Sequence, residues 1–331
     1  MEIYGRILRA IAFPAWQAMH KKRSMLARLD YLERTQWRSL DELIALQSGA
    51  LRQLVRQAYR DVASCRARFD AAGISPDDIR NAEDLAKLPT TSEAPEARAP
   101  GDGVREAASW HEAVDRRFFH WSGHRLGQRS VHYSFERSWP PARPAFVDRY
   151  LRRDVHVRFS PGSEQDLRAA VETIKTFAPD TLFCDTRSVG ALAHYVAEEK
   201  LRDWDTVRVV CGVERLSPPD RSLVETAFGG AVFETYGFTL DDGGSMLVAG
   251  ECEAHDGIHT AVEGVVVEIV VTDSDGRQHP AREGEVGEVV ITDLYDHGAG
   301  RVRFATGNLA TQGPSARCSC GRSLPRIAAN A

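Results

Sequence analysis

Four residues in the last third of the chain have the chemistry to share a metal ion: Cys252, His259, Cys318 and Cys320. Thiolate and neutral imidazole are the usual donors of structural zinc, which is held tetrahedrally with no open position. The pieces read Glu251-Cys252, then His259, then Cys318-Ser319-Cys320-Gly321-Arg322. A Cys-x-Cys-Gly turn is a poor way to bury two thiols unless something binds them. His255 competes for the imidazole position, and ordinary free cysteines beside a surface histidine are the alternative. With Cys65, Cys184 and Cys211 the chain holds six cysteines. An even count permits disulfides, but this spacing suits a metal in a reducing compartment better. A metal here would pin the segment around Cys252 to the C-terminal residues, which is a structural role.

The chain has 331 residues, 43% of them hydrophobic and 27% charged, enough for a large core or two lobes. A net charge of −5 gives no general affinity for nucleic acid. No apolar run reaches the ~18 residues of a membrane span. The start, MEIYGRILRAIAFPAWQAMHKKR, reads as an amphipathic helix without the features of a signal peptide. A cytoplasmic protein with no nucleic-acid partner and no membrane partner is expected.

The elements that must position these residues alternate. Residues 1–70 read as helical. Ser39-Leu40-Asp41-Glu42 is a capping box, and Leu51, Leu54, Val55, Ala58, Tyr59 and Val62 fall on one helical face. Gly73 ends that helix, and Ser75-Pro76-Asp77-Asp78 and Asn81 start two short ones. Residues 92–118 read as a loop with a helical piece. Ser163 caps a helix carrying Leu167, Val171 and Ile174 on one face. A strand follows at 181–184, a helix at 189–199 and a strand at 207–211. Ser217-Pro218-Pro219-Asp220 opens a further helix, Gly229-Gly230 closes it, and a strand spans 231–236. Such alternation indicates an α/β core with a mostly parallel sheet. From Met246 strands dominate, with runs at 265–271 and 286–292 around an Asp273-Ser274-Asp275-Gly276 turn. Three consecutive parts are expected: a helical segment over 1–85, an α/β core over 86–250 and a β-rich part over 251–331.

The stretch LRQLVRQAYRDVASCRARFDAAGISPDDIRNAEDLAKLPTTS resembles the N-terminal region of phenylacetate–CoA ligases and their capsule-biosynthesis relatives, in the adenylate-forming superfamily. The YGFT, EC…GIH and CSCGR segments resemble that family too, which has a similar Cys…His…Cys-x-Cys set. The resemblance implies the large N-terminal domain of an adenylate-forming enzyme: α/β, mostly parallel sheets flanked by helices, with a β-rich, zinc-bearing C-terminal part.

It also assigns sites. FFHWSGHRLGQ, residues 118–128, stands where the family wraps the ATP phosphates in a Ser/Thr/Gly-rich loop. Ser122 and Gly123 remain, whereas His124, Arg125 and Leu126 replace small residues. Tyr236-Gly237-Phe238-Thr239-Leu240 stands for a Tyr-Gly-x-Thr/Ser-Glu turn, whose hydroxyl meets the adenylate phosphate and whose Glu helps hold Mg²⁺. Thr239 keeps the hydroxyl, but Leu240 offers a hard cation no oxygen. Asp241 and Asp242 are either substitutes or exposed loop acids. Phe304 to Leu309 resembles an Arg-Tyr-Arg-x-Gly-Asp-Leu pattern whose Asp binds both ribose hydroxyls. Here Asn308 brings one acceptor oxygen and two donors. Cys211-Gly212-Val213-Glu214 stands for the turn beside the acyl group and adenine, and Cys184 ends the preceding strand. Phe183 and Trp121 would suit a flat aromatic substrate, or merely fill core. The family continues into a domain that brings the adenylating lysine. The chain stops where that domain would start, so no C-terminal small domain is expected.

With these changes together, ATP-driven adenylation is not expected. The first reading is a degenerate, ATP-independent acyltransferase. It would move a benzoate- or anthranilate-like group from aryl-CoA to the phosphopantetheine thiol of an acyl carrier protein. Cys211 or Cys184 would be the nucleophile and His120 or His124 the base; transfer held by proximity alone is the other route, and buried core is the other role for the cysteines. Ser122, Gly123, Gly212, Glu214, Tyr236, Gly237, Thr239 and Asn308 would bind substrate. Zn²⁺ is structural, the CoA thioester is substrate, and ATP and Mg²⁺ are not used. The alternatives are an aryl-CoA ligase that lacks or borrows its C-terminal domain, and a non-catalytic binding module.

Overall fold

Alternating Val-x-Val strands and capped helices fold as the sequence pattern requires. The computed structural model describes residues 3–12, 15, 25–93, 102–134, 153–212, 215–239, 245–295 and 301–329. Its helices are α1 (Ile3–Ile7, continued by a π turn over Leu8–Ala12), α2 (Met25–Thr35), α3 (Leu40–Asp61), α4 (Ala63–Ala72), α5 (Asp102–Trp121), α6 (Glu164–Phe177), α7 (Thr186–Glu198) and α8 (Pro218–Phe228). Its strands are β1 (Ser130–Ser134), β2 (Asp154–Arg158), β3 (Thr181–Asp185), β4 (Val207–Gly212), β5 (Gly229–Thr239), β6 (Ser245–Glu251), β7 (Ile258–Thr260), β8 (Val265–Thr272), β9 (Gln278–Pro280), β10 (Val286–Asp293), β11 (Phe304–Gln312) and β12 (Arg326–Ala329). Among the described residues no helix is long and apolar enough to cross a membrane.

Two compact units form. The first combines Met1–Lys22 with Phe118–His255 and the second Arg23–Arg117 with Asp256–Asn330. This division differs from three consecutive parts. The helical segment and the β-rich segment share one core: Leu51, Leu54, Val55, Ala58, Phe69 and Leu85 pack with Val266, Leu294 and Val302. The apolar face of α3 is thus buried by Val266 of β8 and by Leu294 and Val302 beside β10 and β11, more than two hundred residues away in sequence, a pairing that local pattern does not encode.

In the first unit the strand order is β2-β1-β3-β4-β5-β6. The first five are parallel, and β6 runs antiparallel to β5. Side chains alternate across the strands. Leu182, Val209, Cys211 and Val232 meet Ile174, Val189, Leu192, Val196, Val224 and Phe228 of the helices. Phe183, Val210 and Phe233 point the other way, toward Phe119. In the second unit the order is β7-β12-β11-β10-β8-β9, with antiparallel pairing.

The local punctuation holds except at one place: the helix carrying Leu51 to Ala58 stops at Asp61 with Val62 in an extended conformation, so Gly73 ends a second helix and not that one. Ser39 and Glu42 form the reciprocal capping box, Ser163 and Ser217 cap α6 and α8, and Gly73 and Gly229 end α4 and α8 in the left-handed region.

A buried acid–imidazole pair in the second unit sets an acid limit. His111 Nε2 lies 3.0 Å from Asp293 Oδ2, and the Tyr295 N–H donates to Asp293 Oδ1 at 3.0 Å. Burial alone would raise the Asp293 carboxyl, but His111 and that N–H hold it below the ordinary carboxylate range. A depressed carboxyl contributes stability above its unfolded pKa and loses it as pH falls through the folded one. Thermal unfolding below about pH 4 should therefore separate Asp293→Asn, with a flattened acid limb, from the parent. Parallel pH profiles would contradict this.

Candidate functional site

In the first unit β3 and β4 end together, with Cys184 opposite Cys211 and Asp185 opposite Gly212. This is where ligands sit in open α/β sheets. Asp185 caps α7, accepting from Ser188 N–H at 2.7 Å. A Cβ on Gly212 would lie 2.6 Å from Thr235 Oγ1, and Thr235 donates to the Cys211 carbonyl at 3.2 Å. Gly212 is therefore required by the close approach of β5. Gly237 is likewise closed against the Met246 carbonyl of β6.

The two cysteine side chains join the helix-covered core. Cys211 is 1% exposed, and burial pushes both thiols well up, reinforced at Cys184 by Cys211 and at Cys211 by Glu234.

His124 lies on the other face. Its Nδ1 is 3.1 Å from Thr181 Oγ1, and its ring meets Phe183 edge-on at 5.2 Å. Phe183 stacks on His132 at 4.5 Å and His132 on His156 at 4.6 Å. Ser130 donates to Asp154 Oδ1 at 2.6 Å and lies 3.1 Å from His132 Nε2. Burial lowers His124 and His132 to about 3, with Asp154 opposing, so both are neutral. The expected pairing of His124 with a cysteine is not formed: Phe183 faces His124, and its neighbours in the strand face the helices. His120 closes the last turn of α5, is buried, and adds to the lowering of His124.

The segment that stands where the family wraps phosphates is a self-satisfied turn. Four successive N–H groups donate inside the protein. Ser122 donates to Phe118 O at 3.3 Å, Gly123 to His120 O at 3.0 Å and His124 to Phe119 O at 3.0 Å. Arg125 donates to Gln128 Oε1 at 2.6 Å. Ser122 Oγ donates to Phe119 O at 2.7 Å, and Arg125 Nη1 to His120 O at 2.6 Å. Gly123 adopts φ +87°, and a Cβ there would stand 3.3 Å from Arg208 Nε.

Tyr236 is buried and meets Phe238 edge-on at 5.4 Å. Thr239 is the last residue of β5. Glu214, Leu240, Asp241 and Asp242 lie outside the described residues. In the second unit Asn308 is exposed on β11, at an irregularity of the β10–β11 pairing. Its N–H donates to Thr306 Oγ1 at 3.2 Å, and the preceding Gly307 has φ +73°.

In the second unit the sulfur and nitrogen donors of His259, Cys318 and Cys320 lie within 4.8 Å of one another; Cys252, the fourth expected ligand, belongs to the first unit. His259 Nδ1 is 2.8 Å from Leu324 O, so that nitrogen carries the proton. Its Nε2 is then the unprotonated nitrogen and lies 3.5 Å from Cys320 Sγ, the tautomer a metal-binding histidine needs. Burial lowers His259 to about 4, which keeps it neutral. The Arg322 N–H approaches Cys320 Sγ at 3.5 Å. Gly321, at φ +87°, donates to Cys318 O at 3.0 Å and turns the knuckle. Two thiols and one imidazole are donors of the kind structural zinc takes. His255 is not in this set; it lies 3.1 Å from Glu251 Oε1.

The Ser130, His132, Asp154 and His156 group was missing from the sequence reading. Its signal was the alternation in Ser-Val-His-Tyr-Ser and Asp-Val-His-Val-Arg, which places polar side chains in register on one face.

No protein-family model matches the chain. Over 54 residues it is 48% identical to phenylacetate-coenzyme A ligase of Escherichia coli, a stretch covering 16% of this chain and 12% of that protein. Over 61 residues it is 48% identical to the same enzyme of Aromatoleum evansii, covering 18% of this chain and 14% of that one. The chain thus spans only a small part of the curated relatives it matches. Among solved structures it resembles 2-hydroxyisobutyryl-CoA ligase in the postadenylation state, with a TM-score of 0.70 and 17% identity over 90% of this chain and 69% of that one. The same ligase with 2-HIB-AMP and CoA, in its thioesterification state, gives 0.69 and 18% over the same shares. At this identity the likeness carries the fold, and function must come from the site.

Proposed function

Proceeding from a chain with the fold of the adenylate-forming superfamily, phenylacetate–CoA ligase-like in kind, we propose that it is an acyltransferase working without ATP or Mg²⁺. The acyl group is aryl, delivered as a CoA thioester and accepted by the phosphopantetheine thiol of an acyl carrier protein in the cytoplasm. The self-satisfied turn at 122–125 carries this reading. A phosphate loop needs backbone N–H groups free to close on phosphate oxygens, and these four are donated within the protein. Asn308 in place of a ribose-binding carboxylate points the same way.

Exchange of one thioester for another needs no ATP. The phosphopantetheine sulfur attacks the thioester carbonyl, the bond to the CoA sulfur breaks, and CoA leaves with the proton the attacking thiol gave up. The chain's part is positioning. Raised thiols are poor nucleophiles, so the burial of Cys184 and Cys211 favours direct transfer over an acyl-enzyme. The burial that lowers His124 to about 3 also makes it a weak proton acceptor, so buried His120 is the better candidate, on the face where Phe119, Phe183 and His132 offer flat packing to an aryl group. Zn²⁺ on Cys252, His259, Cys318 and Cys320 holds structure and touches no reacting atom.

The test is carrier-protein mass after mixing with aryl-CoA thioesters. Acylation above the uncatalysed rate without ATP, retained in Cys211→Ser, is the expected result. Product formed only with ATP, Mg²⁺ and the free acid would replace this reading with a ligase. That second reading is favoured by the relatives, which are named as CoA ligases. No product under either condition would leave a binding module.

A further inference from the structure

Helix α1 is seated with its small face inward. Gly5 is buried, and a Cβ there would stand 3.3 Å from the Leu126 carbonyl. The opposite face carries Ile3, Ile7 and Ile11, at i, i+4 and i+8, with 76%, 52% and 65% of their surfaces exposed. Tyr4 flanks the stripe, 38% exposed, with the Arg153 guanidinium 5.0 Å from its ring centre. Arg6 flanks the other side and is exposed. An amphipathic helix normally buries its aliphatic face. A contiguous apolar face turned outward marks a surface that something covers.

We propose that this stripe lays the protein on an anionic lipid surface. Charge selects the occupant. The first 23 residues hold Arg6, Arg9, Lys21, Lys22 and Arg23 against the single acid Glu2, in a chain whose net charge is −5. An anionic bilayer attracts such a basic segment while it repels the acidic remainder. Aliphatic stripe, flanking bases and an interfacial tyrosine are the parts of a helix lying in the headgroup plane. A second copy is the poorer partner. A two-fold contact sets the same patch against itself and would bring the two basic segments together. The sequence argued against a membrane partner because no stretch can span a bilayer; lying on one needs no such stretch.

Co-sedimentation of the full chain with vesicles tests this. Vesicles with equal parts phosphatidylglycerol and phosphatidylcholine should bind it, and pure phosphatidylcholine should bind it far less. Raising salt from about 0.1 to about 0.5 M should weaken binding severalfold. Ile7→Ser with Ile11→Ser should lower partitioning about tenfold, and because both side chains are exposed the fold should stay intact. Failure to bind the anionic vesicles, or binding that the double substitution leaves unchanged, would overturn the proposal. So would a concentration-dependent dimer abolished by the same substitutions, since the stripe would then belong to a second copy.

Discussion

Cys320→Ser should release about one zinc per chain and lower the melting temperature by about 10 °C. In the second unit the donors of His259, Cys318 and Cys320 lie within 4.8 Å of one another, with the His259 tautomer already fixed by the Leu324 carbonyl. Structural zinc contributes folding free energy directly, of order 10 kcal/mol in metal-dependent peptides. Here β7 and β12 pair through His259 and Arg326, and a metal would add to a core that already exists. A loss of about 3–5 kcal/mol is therefore expected, with each kcal/mol shifting the midpoint by about 2–4 °C in a domain of this scale. His259→Ala should behave alike. Cys65→Ser, in the core beside Leu54 and Phe69, should keep the metal. Elemental analysis and thermal unfolding decide this. A metal-free parent whose stability a chelator does not touch would remove zinc from the account.

That prediction was legible in the sequence because Cys-x-Cys-Gly is a local signal with few uses. Caps were legible for the same reason: Ser39 reaches Glu42 and Ser217 reaches Asp220 within a single turn. The parallel core was legible from alternation after residue 163. Strands β1 and β2 were not, since five residues each, rich in His, Ser, Asp and Arg, hold only two apolar positions. They are strands because Val131, Tyr133 and the two valines of β2 join the core of the first unit, a tertiary cause that outweighs a short local alternation. The same limit explains the histidines. Sequence placed His124 near a substrate loop, but only the strand register shows which face it shares with His132 and which face holds Cys184 and Cys211. Residue types announced chemistry; the pleat of β3 decided which groups can meet.

Glu263→Ala should be among the most destabilising single changes in the second unit, by about 3–5 kcal/mol. Arg117 is 0% exposed and Glu263 1% exposed by side chain, and Arg117 Nη1 donates to Glu263 Oε1 at 2.7 Å. Thr35 donates to the same oxygen at 2.7 Å. Removing the carboxylate takes the Glu263 partner from a fully buried guanidinium, whose desolvation is then less offset. Glu263→Gln keeps an acceptor for both donors and should lose less. The double change Arg117→Met with Glu263→Leu removes both charges at similar volume and should recover most of the loss, because buried pairs often stabilise no more than well-packed hydrophobes. Denaturant unfolding of the three variants orders them. A Glu263→Ala cost within about 0.5 kcal/mol, the range of ordinary surface substitutions, would mean that water reaches Arg117. A double variant as weak as Glu263→Ala would instead show that the pair orients α5 and α2 against the strand connection at 261–264, where Gly264 N–H donates to Ala261 O, beyond balancing charge.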